Sequence, residues 1–99
     1  MQSVKQSRTT PAVDSRLVPV TVRVGEGKNV VMTGDFNGWA MDGIPMKSVG
    51  DGRYRAQLRL APGTYQFRVL VDGRWADDQD APRRISNPFG TENSVLEVS

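Results

Sequence analysis

Cysteine and histidine are both missing from the 99 residues. Without thiols there is no disulfide frame and no thiolate metal site, and without imidazole the common nucleophilic triads and zinc sites cannot be assembled. No cofactor and no metal site are expected. A strong charge imbalance is also absent: thirteen basic against eleven acidic side chains leave a net charge of +2, which is not a nucleic-acid footprint. Basic and acidic residues alternate along the chain, so the surface field is expected to be patchy, screened within roughly 8 to 10 Å, and silent about the partner. No apolar stretch approaches the ~18 residues of a membrane span, and the start "MQSVKQSRTT" has no apolar centre of the signal-peptide kind. No membrane contact and a cytoplasmic setting are the expectation.

Helical periodicity is missing too; the period present is two. Residues 1–16 are polar and carry no hydrophobic pattern, which reads as a flexible leader or linker before a single domain over residues 17–99. From there Val18, Val20, Val22 and Val24 point one way and their neighbours the other, the mark of a strand with one buried face. Pro19 places that strand at a sheet edge or beside a bulge. A second strand covers 30–33, and a short apolar patch follows at 44–46. In "RYRAQLRL" the core side is Tyr54, Ala56, Leu58 and Leu60, and in "TYQFRVLV" it is Tyr65, Phe67, Val69 and Val71. Asp72-Gly73 is a two-residue hairpin signal, residues 77–93 read as loop, and "SVLEV" closes the chain. Six to seven short strands with frequent turns predict an all-β, immunoglobulin-like antiparallel sandwich.

Both tryptophans sit beside turns. In "GDFNGWA" the Asn37-Gly38 pair separates Phe36 from Trp39, so burying Phe36 leaves Trp39 outside. If Phe67 and Val69 fill the core, then Gln66 and Arg68 face water, and the Asp72-Gly73 turn brings Trp75 to the rim of that same face. Two exposed indoles beside a guanidinium suit a pyranose, whose axial C–H face lies on an aromatic ring while its hydroxyls meet donors at the edge.

The ordered runs "VVMTGDFNGWA", "RYRAQLRLAPGTYQFRVLVDGRWADD" and "NPFGTENSVLEV" resemble the family 48 carbohydrate-binding modules. These are early-set domains found in the glycogen-binding part of the AMP-activated kinase β subunit and at the N-termini of isoamylases and branching enzymes. The resemblance implies an α-1,4-linked glucan as ligand and no catalysis. It assigns sugar stacking to Trp39 and Trp75, hydroxyl contacts to Arg68 and Asn93, a loop contact against the glucan to Phe89, and a further polar contact to Thr91. Arg68 stands where many members carry lysine, Phe89 where the kinase version has leucine, and Asp78-Gln79 where Asp-Pro is usual. A catalytic or regulatory protein attached to the domain is the implied second partner.

Three other classes are weighed on the residues. A glycosidase needs two carboxylates about 5 to 9.5 Å apart across a cleft, whereas Asp77, Asp78 and Asp80 crowd one segment that reads as a solvated acidic loop. "DDQDAP" also lacks the alternating ligands and closing Glu of a calcium loop. Arg83-Arg84 reads as an exposed turn, not a nucleic-acid site. A protein-docking module of the same fold with no sugar ligand is the main alternative, because exposed aromatics with arginine also make interface hot spots.

Overall fold

The computed structural model describes residues 15–99. Nine strands follow one another: β1 (Arg16–Arg23), β2 (Val30–Gly34), β3 (Ile44–Pro45), β4 (Lys47–Gly50), β5 (Arg53–Leu60), β6 (Gly63–Val71), β7 (Arg74–Ala76), β8 (Arg84–Ser86) and β9 (Glu92–Val98). The expected leader lies outside the described residues up to position 14, and Arg16 already pairs with Leu60. No helix among the described residues is long and apolar enough to cross a membrane.

All pairings are antiparallel. One sheet runs β1-β5-β4; the other runs β3-β2-β6-β9-β8, with β7 also on β6. The sheets meet through the faces that the alternation assigned. Val20, Val22, Tyr54, Leu58 and Leu60 of the first pack with Val30, Met32, Phe67 and Val69 of the second, and Val18, Val24, Ala56, Tyr65 and Val71 lie against this cluster. Full burial of such a side chain is worth roughly 1.5 to 3 kcal/mol. The Tyr54 hydroxyl, carried inward with its ring, is satisfied by the backbone of Gly27, donating to its carbonyl at 3.1 Å and accepting from its N–H at 2.8 Å.

Two strands exceed the expected number, β4 and β8. Both are outermost in their sheets, and every residue in them is exposed, so neither leaves an apolar alternation to be read. β1 is also outermost, the edge position of the two that Pro19 allowed. Its last residue is clipped to the loop after β7: Arg23 N–H donates to Asp78 Oδ1 at 2.9 Å, and Gln79 N–H donates to Arg23 O at 2.9 Å. Asp78 is therefore buried, which corrects the expectation of a wholly solvated acidic loop. A carboxylate was needed there to receive backbone donors that no strand covers.

The second correction concerns the outer face of the larger sheet. It is not open to water along its length, because Val31, Leu70 and Val95 are buried on it. Part of the cover is the excursion between β2 and β3, where a 3-10 turn (Asp35–Asn37) follows Gly34. A side chain at position 34 would collide with the Gln66 carbonyl oxygen and come within 2.8 Å of Phe67 Cβ. Only glycine lets this chain cross so close to β6.

Candidate functional site

Around Arg68 the partner on one edge of β6 changes. Phe67 faces Ser94 of β9, while Val69 faces Ala76 of β7. Arg68 bridges the seam: its guanidinium donates to Asp77 Oδ1, just past β7, at 3.1 Å and to Thr91 Oγ1, just before β9, at 3.3 Å. Its carbon lies 5.0 Å from the centroid of the Trp75 ring. The register puts Trp75 opposite Leu70, hence on the same side of the sheet as Arg68 and Gln66. The Asp72-Gly73 turn that aims it has both residues at positive φ, 51° and 83°, the geometry of a type I′ hairpin. Only 12 % of the Arg68 side chain is exposed, and its Nε is buried with no hydrogen-bond partner among the described residues.

Trp39 comes from the other side. The 3-10 turn ends at Gly38, and Gly38 and Trp39 both take left-handed backbone, φ 65° and 60°. That conformation is costly for a bulky residue, so the reversal is held by its neighbours. Trp39 N–H donates to Gly34 O at 3.0 Å, and the indole N–H donates to Asp35 Oδ1 at 3.2 Å. The other Asp35 oxygen accepts the Gln66 backbone N–H at 2.8 Å, so one carboxylate ties the indole to the sheet. Phe36, expected to be buried, is half-buried and packs against the edge of the core. Trp39 is half-buried where full exposure was expected, because its ring is drawn toward Asp35.

The third side is the segment 87–91. Asn87 Oδ1 accepts the N–H groups of Phe89 at 3.0 Å and Thr91 at 3.2 Å, and its Nδ2 donates to Thr91 Oγ1 at 2.8 Å and Asn93 Oδ1 at 3.0 Å. Asn93 Nδ2 in turn donates to Gln66 Oε1 at 3.0 Å. This fold-back leaves Phe89 88 % exposed at the tip of its loop. Asn93 itself is buried, with both ends of its amide already engaged inside the protein.

Together these segments enclose a groove of about 580 Å³ lined by Trp39, Arg68, Trp75, Phe89, Thr91 and Asn93, the six residues singled out in the sequence, along with Asp35, Gln66, Asn87 and Pro88. The sheet supplies Gln66, Arg68 and Asn93; loops and the short β7 supply the three aromatics. Asp35 and Asn87 were missed. Asn87 was marked by the Asn-Pro step at 87–88, which favours a turn built on the asparagine side chain. Asp35 has one partner close by, the Trp39 indole, but the other, Gln66, is distant in sequence. Of the acidic residues, Asp77 is paired with Arg68 and Asp80 with Arg23. Hydrogen bonding to the Arg23 guanidinium holds the Asp80 carboxyl below its usual range. Arg83 pairs with Glu97, and Arg84, in β8, donates to the Asp78 carbonyl at 2.7 Å, so neither belongs to a free basic turn.

Comparison with known proteins covers nearly all the described residues. The family model described as the glycogen recognition site of AMP-activated protein kinase matches residues 18–99. The chain is 34 % identical over 74 residues to 5'-AMP-activated protein kinase subunit beta-1 of Sus scrofa, covering 75 % of this chain and 57 % of that protein. It is 37 % identical over 70 residues to Protein PTST homolog 2, chloroplastic, of Arabidopsis thaliana, covering 71 % and 13 %. To 5'-AMP-activated protein kinase subunit beta-2 of Mus musculus it is 35 % identical over 89 residues, covering 89 % and 31 %. The chain thus spans from 13 % to 57 % of the length of these relatives.

Proposed function

The chain belongs to the family of glycogen recognition sites of AMP-activated protein kinase, and on that premise we propose that it binds α-1,4-linked glucan without catalysis, in the cytoplasm, and targets an attached protein to the polysaccharide. The observation that carries this reading is the convergence of Trp39, Trp75 and Phe89 on one groove over the polar groups of Gln66, Arg68 and Asn93. In the proposal, Trp39 and Trp75 receive the apolar faces of successive sugar rings, and Arg68, Thr91 and Asn93 meet hydroxyls with the hydrogen-bonding capacity their internal bonds leave. Phe89 presses on the glucan from the loop. Arg68 lies over the Trp75 ring, so the sugar takes the part of the indole that the guanidinium leaves open.

The groove volume falls in the roughly 300 to 1,000 Å³ range of small-ligand clefts, room for a short stretch of polymer. Stacking worth roughly 1 to 3 kcal/mol per ring, at the lower end for a sugar, gives dissociation constants on the order of micromolar to millimolar. The acids beside the groove support a binding role over a hydrolytic one, since Asp77 is engaged by Arg68 and Asp35 by Trp39 and Gln66.

Affinity electrophoresis in gels with and without glycogen tests the reading. The chain is expected to be retarded by glycogen, and Trp39→Ala and Trp75→Ala to run freely. Unretarded migration of the unsubstituted chain with glycogen and with starch would refute glucan binding and leave the docking module as the better account.

A further inference from the structure

The alternation of basic and acidic residues along the sequence does not survive folding. Apart from Glu92 and Glu97 in β9, the acids of the described residues lie in turns and loops. The two-residue period of "RYRAQLR" sends Arg53, Arg55 and Arg59 to the same side of β5, away from the core. The register then sets Arg23 of β1 opposite Arg53 and Lys47 of β4 opposite Arg55. The outer face of the three-stranded sheet is thus a basic surface on the opposite side of the sandwich from the groove, corrected from the patchy field expected of the sequence.

Like charges directly opposite each other across an antiparallel pair are unfavourable. The protein relieves one of these pairs itself. Asp80 reaches over from the loop after β7 and takes Arg23 in a forked contact, Nε at 3.0 Å to both carboxylate oxygens and Nη2 at 2.8 Å to Oδ1. Arg53 adds to the attraction that lowers the Asp80 pKa. No such partner reaches the other pair: Lys47 and Arg55, like Arg53 and Arg59, have no carboxylate within ion-pair distance among the described residues.

From this arrangement we propose that the outer face of β1, β4 and β5 docks an acidic segment of a protein partner, whose carboxylates engage Lys47, Arg55 and Arg59 as Asp80 engages Arg23. Charge complementarity fixes the sign of the partner. Its class follows from what accompanies the charges. Leu17 and Val49 are each 55 % exposed; Leu17 lies opposite Arg59, and Val49 lines a shallow depression with Lys47, Arg55 and Gln57. Arginine among apolar contacts is the composition of protein interfaces. A single-stranded nucleic acid would call for aromatic stacking surfaces, and the outward positions of these three strands carry none.

The test is an NMR titration of the ¹⁵N-labelled chain with a synthetic peptide of glutamates interrupted by leucines. An all-glutamate peptide and a single-stranded oligonucleotide of equal charge serve as comparisons. The leucine-bearing peptide is expected to shift amides of β1, β4 and β5, to bind several-fold more tightly than either comparison, and to lose roughly tenfold in affinity as salt rises from about 0.05 to about 0.3 M. Arg55→Ser with Arg59→Ser is expected to abolish the shifts. Shifts confined to other strands or no shifts at all, equal or tighter binding of either comparison, or undiminished binding by the double variant overturn the proposal. The shift map is read on the unsubstituted chain, so a variant that fails to fold does not rescue it.

Discussion

The guanidinium carbon of Arg68 stands 5.0 Å from the centre of the Trp75 ring while the same group holds Asp77 and Thr91. One side chain therefore closes the seam between β7 and β9 and fixes the indole that faces the groove. Arg68→Lys is expected to weaken glucan binding by roughly 2- to 5-fold, about 0.5 to 1 kcal/mol, because a point charge replaces the planar fork that holds Asp77 and Thr91 while lying on the indole. Stability should change little, because the forked contacts and the unpaired buried Nε disappear together. Calorimetric titration with maltoheptaose and thermal unfolding measure the two effects.

Trp75→Ala separates binding from folding more sharply. With the ring 45 % exposed, its removal should lower Tm by only several degrees, roughly 1 kcal/mol in a domain of this size. Glucan affinity should fall roughly 5- to 150-fold, the equivalent of about 1 to 3 kcal/mol of stacking. A collapse in Tm would instead assign the indole to the core.

Asp35→Ala tests the clamp on Trp39. Losing the acceptor for the indole N–H and for the Gln66 N–H is expected to cost about 1 kcal/mol of stability per hydrogen bond. It should also weaken glucan binding, although no contact with sugar is proposed for Asp35. The Trp39 indole resonance should broaden or move in the free protein, a change that removal of a mere surface charge would not produce.

Gly34→Ala is expected to be among the most damaging single changes, since the added methyl meets the Gln66 carbonyl and Phe67 at once. A loss of roughly 3 kcal/mol or more in urea unfolding is the expected size, at the upper end for overpacking.

The Arg23–Asp80 pair gives a pH dependence of definite sign. Asp80 has its carboxyl lowered from the ordinary 3.8 by its hydrogen bonds to Arg23. Its contribution is therefore present in full above the unfolded value and is lost as pH falls through the lower, folded one. The stability difference between the unsubstituted chain and Asp80→Asn should be constant near neutrality and shrink only below about pH 5. Chemical denaturation across that range reads it directly.

How far the sequence disclosed all this depends on whether a residue's neighbours are local. The core positions of β1, β5 and β6 were legible because each strand has one side against apolar partners, and a period of two follows. Val31, Leu70 and Val95 were not, since they are buried on the outer face of the sheet, where Val31 lies under the Gly43 backbone and Leu70 opposite Trp75 of β7. The turn beside Trp75 is written in Asp72-Gly73, whereas the tilt of Trp39 depends on Asp35 reaching Gln66 across the sheet. Asp78 looked like one more solvated acid because its debt to Arg23 is fifty-five positions away. The basic face was hidden by reading charge along the chain instead of across paired strands.

The linked amides of Asn87, Asn93 and Gln66 have a consequence for kinetics. A floor that has already settled its own polar accounts has little to rearrange when a sugar arrives and little to surrender when it departs. Under the proposed binding, glucan on this floor should then exchange quickly, its departure limited by the stacked rings and not by rearrangement of the polar groups beneath them.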